Sequence, residues 1–114
     1  MGQPRFIDDP AFRSLRLSDF DAYNRLVAGK KRVDFSNADL RGVDFRGIAD
    51  TEKVTVQGSY MRDTDLRGLD LRHWDMEGCS LYHAKISGAY FPINLTPQEI
   101  SMSVQLGTRM RTTP

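Results

Sequence analysis

The sequence predicts a mainly β solenoid of a few short coils closed by a helix at each end. Three observations carry this expectation: a five-residue beat through the middle of the chain, a one-residue slip within that beat, and helix signals on both flanks. Between Val33 and Pro92 a large apolar residue returns at every fifth position: Phe35, Leu40, Phe45, then Val56, Met61, Leu66, Leu71, Met76, Leu81, Ile86 and Phe91. Two places before each stands a small or apolar residue, as in Val33, Ala38, Val43, Cys79 and Ala84. Period five matches neither a helix at 3.6 nor a flat strand at two, so it implies a repeated unit with a corner in it.

Residues 1–17 hold Phe6, Ile7, Phe12, Leu15 and Leu17 without a clean period, and Pro4 and Pro10 interrupt them. They read as an extended arm that covers either the first coil or a second chain. Over 18–29, Ser18 reads as a helix N-cap, and Phe20, Tyr23, Leu26 and Val27 form one apolar stripe. Gly29 followed by Lys30, Lys31 and Arg32 reads as the stop. This first capping helix plugs the open end of the stack, because terminal repeats otherwise expose unpaired backbone.

The repeat block itself is 33–92. Its best-formed units, Ala38-Asp39-Leu40-Arg41-Gly42 and Leu69-Asp70-Leu71-Arg72-His73, resemble the A(D/N)LXX consensus of the pentapeptide-repeat family. That resemblance implies a right-handed quadrilateral β-helix, four pentapeptides to a coil, with the large apolar residue and the one two before it pointing inward. From Phe45 to Val56 the step is eleven residues, so one residue is inserted within Ile48–Lys53 and a bulged corner must absorb it. Counting that slot gives about three coils, roughly 10 Å between the outer rungs, which is too short a stack to be stable without its flanks.

After Pro92, Thr96-Pro97-Gln98-Glu99 is a capping box with proline at the first helical position. A second capping helix follows over 96–107, with Ile100, Val104, Met102 and Leu106 as its apolar surface and Gly107 as its stop. The tail, 108–114, reads as exposed.

The 114 residues, 39% hydrophobic with net charge +1, suit one soluble domain. No run approaches a membrane span, and the start lacks a signal-peptide core, so the expected location is cytoplasmic with no membrane association. Met1-Gly2 is followed by Arg5 and Phe6 instead of a myristoylation serine or threonine. Residues 33–92 carry seven bases and ten acids, and the two flanks are together +4. That division is too mild to imply direct nucleic-acid binding.

No phosphate loop, HExxH, nucleophile elbow, carboxylate pair or CxxC is present, so the expectation is a non-enzyme with no catalytic residue, cofactor or metal. His73 and His83 lack companion ligands, and lone Cys79 points inward as a small hydrophobe. The outward residues are therefore the candidates. Asp39/Arg41, Asp44/Arg46, Asp65/Arg67 and Asp70/Arg72 flank their inward residues and neutralise each other, with Arg41 and Arg62 stacking on one wall and Arg46 and Arg67 on the next. Tyr60 and Tyr82 share a face, and Trp74, large for its slot, either fills the interior or is displaced outward. The candidate interaction surface is thus Arg41, Arg46, Tyr60, Arg62, Arg67, Trp74 and Tyr82.

The function expected is a protein–protein interaction module of unidentified partner. Two alternatives stand beside it. The resemblance extends to members that mimic duplex DNA and bind DNA gyrase, although this chain alternates Asp with Arg where those present an acidic wall. The other is self-assembly, a homodimer built through an open coil end or the N-terminal arm.

Overall fold

The computed structural model describes residues 4–114. The discounted Met1-Gly2 start therefore lies outside the described residues, as does the beginning of the arm.

The arm differs from its expectation, because Pro10 starts a helix instead of preventing one. Helix α1 spans Pro10–Arg16, with Asp9 accepting the Phe12 amide at 2.7 Å. Proline at the first helical position costs no hydrogen bond, since that N–H has no intrahelical partner in any case. Ahead of α1, Arg5 forms a parallel bridge with Ala38, and Phe12 packs edge-on against Phe35 with ring centroids 5.6 Å apart. This segment covers the first coil.

Helix α2, Phe20–Val27, buries Tyr23 and Val27. Its N-cap is Asp19, which accepts the Ala22 amide at 3.2 Å, and not Ser18. Ser18 takes a left-handed φ of 60° in the tight turn from α1 and so cannot serve as cap. Gly29 is not left-handed either. The end of α2 is instead capped from afar by Lys53, whose Nζ donates to the Val27 and Lys30 carbonyls at 2.6 and 3.2 Å. Asn24 completes the docking, donating to the Gly47 carbonyl and accepting the Ala49 amide.

Through the repeats, burial follows the five-residue phase: every large apolar slot from Phe35 to Leu81 is buried. The bridges Val33–Val54, Asp39–Tyr60 and Asp44–Asp65 join residues 21 apart, whereas Tyr60–Ser80, Asp65–Lys85 and Asp70–Tyr90 are 20 apart. The chain thus returns beside itself every four pentapeptides, with one extra residue between Phe45 and Val54. A short 3-10 turn, Thr51–Lys53, holds that insertion, started by Asp50 accepting the Glu52 amide. The extra corner has a use, since it brings Lys53 under α2.

Regular strand is scarcer than "mainly β" suggests. Among the described residues only β1 (Val33–Asp34) and β2 (Val54–Thr55) extend beyond single bridges, while the three α-helices have 7, 8 and 10 residues. Each wall turns after a few residues, leaving room for one or two ladder pairs. Corners at Gly42, Gly58, Gly68, Gly78 and Gly88 are left-handed, and Asn37, Asp63 and His83 take the same conformation at equivalent slots. Glycine has no Cβ to clash there, and short polar residues tolerate the region next best.

Helix α3, Pro97–Leu106, starts on Thr96, which accepts the Glu99 amide at 3.2 Å, and ends at left-handed Gly107. Ile100 and Val104 are half-buried, but Met102 and Leu106 face solvent. The residue driven fully inward is Ser103, which accepts the Leu81 amide at 2.8 Å and donates to the Thr108 carbonyl at 2.6 Å. The tail is also not exposed throughout. Arg109 bridges antiparallel to Ser80, and Met110, wholly buried, exchanges backbone bonds with Gly78 and Cys79. Removal of an apolar side chain from water drives this: burying Met110 against the last coil is worth about 1.5–3 kcal/mol. Glu99 and Glu77 then hold Arg111 and Thr112 by hydrogen bonds.

Candidate functional site

The outward pattern Asp-x-Arg produces one repeated device. In each of the pairs Asp39–Arg41, Asp44–Arg46, Asp65–Arg67 and Asp70–Arg72 the carboxylate accepts the arginine's own amide and is gripped in bidentate fashion by its guanidinium. Hydrogen bonds from the arginine side chain hold all four carboxyls below their usual range, down to about 2 for Asp65 and Asp70. Arg46 also reaches across the coils to Asp65, with Nε 3.2 Å from Oδ2. The wall carrying Arg46 and Arg67 is therefore a closed charge network. Exposed pairs of this kind add a few tenths to about 1 kcal/mol each and leave little field for a partner to read.

The pairing lapses elsewhere, and on one wall the lapse leaves arginines without a bidentate acid. Along the ladder Asp39, Tyr60, Ser80, Arg109, the aspartate occurs only in the first coil. Arg62 consequently has no bidentate partner; its nearest ion pair is with Asp63, Nε to Oδ2, at a loose 3.6 Å. Its guanidinium lies over the Tyr82 ring at 4.9 Å, and Tyr82 stacks on His83 with centroids 3.9 Å apart. Arg109 lies over Tyr60 at 4.6 Å and donates to the Gly58 and Gly78 carbonyls. Arg16, from α1, lies over Phe12 and donates to the Asp39 and Arg41 carbonyls. Carbonyl acceptors and ring faces orient a guanidinium without neutralising it.

A groove of about 860 Å³ runs between this wall and residues 5–17, with Arg41 and Arg62 in its floor and Phe6 and Leu17 on its rim. A second hollow of about 290 Å³ continues it past Tyr60 and Tyr82 to Leu106 and Arg109, and shares Arg41 and Arg62.

Of the seven residues predicted as a surface, Arg41, Tyr60, Arg62 and Tyr82 are brought together here. Arg46 and Arg67 belong to the neutralised wall. Trp74 leaves the surface altogether: it is 4% exposed, packs edge-on against Phe45 at 5.7 Å and donates its indole N–H to the Thr51 carbonyl at 2.8 Å. The inserted corner supplies both the space and that carbonyl. Sequence reasoning missed Arg16 and Arg109, which lie outside the repeats, and nothing in the sequence separates them from the other flanking arginines, such as Arg13 and Arg111.

Nothing among the described residues groups three metal ligands, and Cys79 is buried with its thiol pushed up to about 11 by desolvation. That environment makes a poor nucleophile.

Inward apolar slots every fifth residue, parallel bridges 20 or 21 apart and left-handed corners define a repeat protein of the solenoid class. Residues 31–47 and 58–92 match the family model for pentapeptide repeats, in 8 copies, and the chain belongs to the pentapeptide-repeat family. The gap in the match contains the inserted corner. No curated protein and no solved structure matches the chain.

Proposed function

We propose that this chain is a non-enzymatic protein-interaction module: a right-handed four-sided β-helix of about three coils, clamped by its flanks, that presents the Tyr60–Tyr82 wall to a protein partner in the cytoplasm. Proteins of this family are generally interaction or structural proteins, which supports the class of function. The observation that carries the choice of wall is the contrast in charge pairing. Arg46, Arg67 and Arg72 are gripped by aspartates, Arg72 while also lying over Tyr90, whereas Arg62 and Arg109 stand on tyrosines with no bidentate acid beside an open groove. No described helix is long and apolar enough to cross a membrane.

The DNA-mimic alternative, acting on an enzyme such as DNA gyrase, needs unpaired acids along a wall. Asp39, Asp44, Asp65 and Asp70 each carry a bidentate arginine, which argues against it. Self-assembly through a coil end has less to work with, because residues 5–27 lie along the first coil and the C-terminal segment pairs with the last coil at Gly78–His83, although Ile86 and Phe91 stay half-buried and Tyr90 exposed.

The test is capture of partners from native extract by immobilised protein, comparing wild type, the double variant Arg62→Glu/Tyr82→Ala and the remote variant Arg72→Ala. Capture should survive Arg72→Ala and be lost in the double variant. Equal capture by all three would refute the assignment of this wall.

A further inference from the structure

We infer that the groove between residues 5–17 and the Tyr60 wall binds an extended acidic peptide segment with interspersed large apolar side chains; this rests on the reading of that wall as a protein-binding face. The first ground is charge. The main groove is lined by five arginines, Arg5, Arg13, Arg16, Arg41 and Arg62, against three aspartates, Asp8, Asp39 and Asp63. Those acids are already engaged, Asp8 by Arg13, Asp39 by Arg41 and Asp63 loosely by Arg62, and Arg5 pairs with Asp34 outside the groove, so the surplus cation of the lining is Arg16. Arg16 and, at the far end, Arg109 form no ion pair among the described residues and donate to carbonyls only.

The second ground is the presentation of these cations. Arg16, Arg62 and Arg109 each lie over an aromatic ring, at 5.2, 4.9 and 4.6 Å. Stacking holds the face of a guanidinium and leaves N–H donors on its edge for a carboxylate, and the ordering entropy of the long side chain is met before the ligand arrives.

The rim supplies the third ground. Phe6 is 88% exposed, Leu17 78% and Leu106 71%, and all three line the groove or its continuation. A ligand of charge alone would leave them in water, whereas a peptide alternating acids with leucine or phenylalanine covers them. The wall has five rungs, Arg5, Asp39, Tyr60, Ser80 and Arg109. At ~4.8 Å per step they span roughly 19 Å, the reach of an extended segment of about six residues. A polyphosphate fits less well, because a chain of net charge +1 lacks the long-range field that nucleic-acid binding uses.

The experiment is fluorescence anisotropy with labelled hexapeptides in which three Glu or Asp alternate with three Leu or Phe, using the full chain. The same peptides with Lys for each acid, a deoxythymidine dodecamer and phosphatidylserine vesicles serve as competitors. The acidic set should bind saturably and the lysine set should not. Arg62→Gln should weaken binding about tenfold or more, as expected for loss of a charge-assisted hydrogen bond, and Phe6→Ser, at an exposed position that folding does not need, should weaken it as well. Arg72→Gln, on another wall, should leave it unchanged. Equal binding of the two peptide sets, indifference to Arg62→Gln and Phe6→Ser, or preferential binding of the oligonucleotide or vesicles would overturn the inference. If extract capture depends on Arg62 and Tyr82 while the acidic peptides fail to bind, the ligand chemistry is wrong and the face stands. If capture does not depend on them, both readings fall.

Discussion

Replacing Ser103 by alanine isolates what joins the C-terminal cap to the last coil. The Ser103 hydroxyl accepts the Leu81 amide at 2.8 Å and donates to the Thr108 carbonyl at 2.6 Å, and Ser103 and Leu81 are both fully buried. Alanine preserves the helix but strands the Leu81 N–H in an apolar interior. An unsatisfied buried donor costs about 1–3 kcal/mol, so a loss of about 2 kcal/mol is expected. Unfolding entropy for 114 residues at ~2.1 cal/mol/K each is about 0.24 kcal/mol/K, which converts that loss to a fall in Tm of about 8 °C. Calorimetry measures it, and Ser101→Ala, an exposed neighbour on α3, calibrates the change in helix propensity. Amide exchange should show Leu81 and Met110 losing protection together, because Ser103 ties Thr108, and with it Arg109, to the wall. A Tm within about 2 °C of wild type with Leu81 still protected would refute this account of the cap.

Further perturbations test other joints. Gly47→Ala should cost about 1–2 kcal/mol, because a Cβ there would collide with the Phe20 ring, and most of that cost should vanish in a Phe20→Ala background; additive Tm changes would refute the clash. Glu77 is held below its usual value by the Thr112 amide and hydroxyl, and Glu99 by the Arg111 guanidinium and amide. Both carboxylates therefore stabilise the folded chain fully above the unfolded-state value of about 4.5, and that contribution is lost as pH falls through the lower folded-state values. Residues 108–113 should accordingly lose amide protection on acidification, and Glu99→Gln should weaken them already at pH 7. Cys79 should resist thiol reagents at pH 8 until denaturant opens the core; rapid labelling of the native protein would contradict its burial.

Much of this was readable because the repeat is local. A residue's place in a five-residue unit sets whether it faces inward, so Phe35 through Leu81, the inserted corner and the Asp-x-Arg pairs follow from spacing. Apart from the N-cap that moved from Ser18 to Asp19 within a tight local turn, the differences depend on what a distant segment does. Trp74 could point either way until the bulge at Thr51 provided space and an acceptor. Ser103 carries no mark of burial, since its role needs Leu81 from another coil. Pro10 signals a helix start as readily as a break, and contact between Phe12 and Phe35 settles which.

The binding wall divides in the same way. That Tyr60 and Ser80 interrupt the aspartate column is visible in the repeat, and with it the loose pairing of Arg62. That Arg16 and Arg109 join Arg62 around one groove is not, because neither belongs to a repeat and each arrives by chain reversal outside it. Sequence alone determined the periodic coil and its inward phase, since those depend on neighbours within five residues. Tertiary structure alone decided how the flanks fold back, because that depends on which exposed rungs and unpaired backbone groups the coil leaves for them to cover.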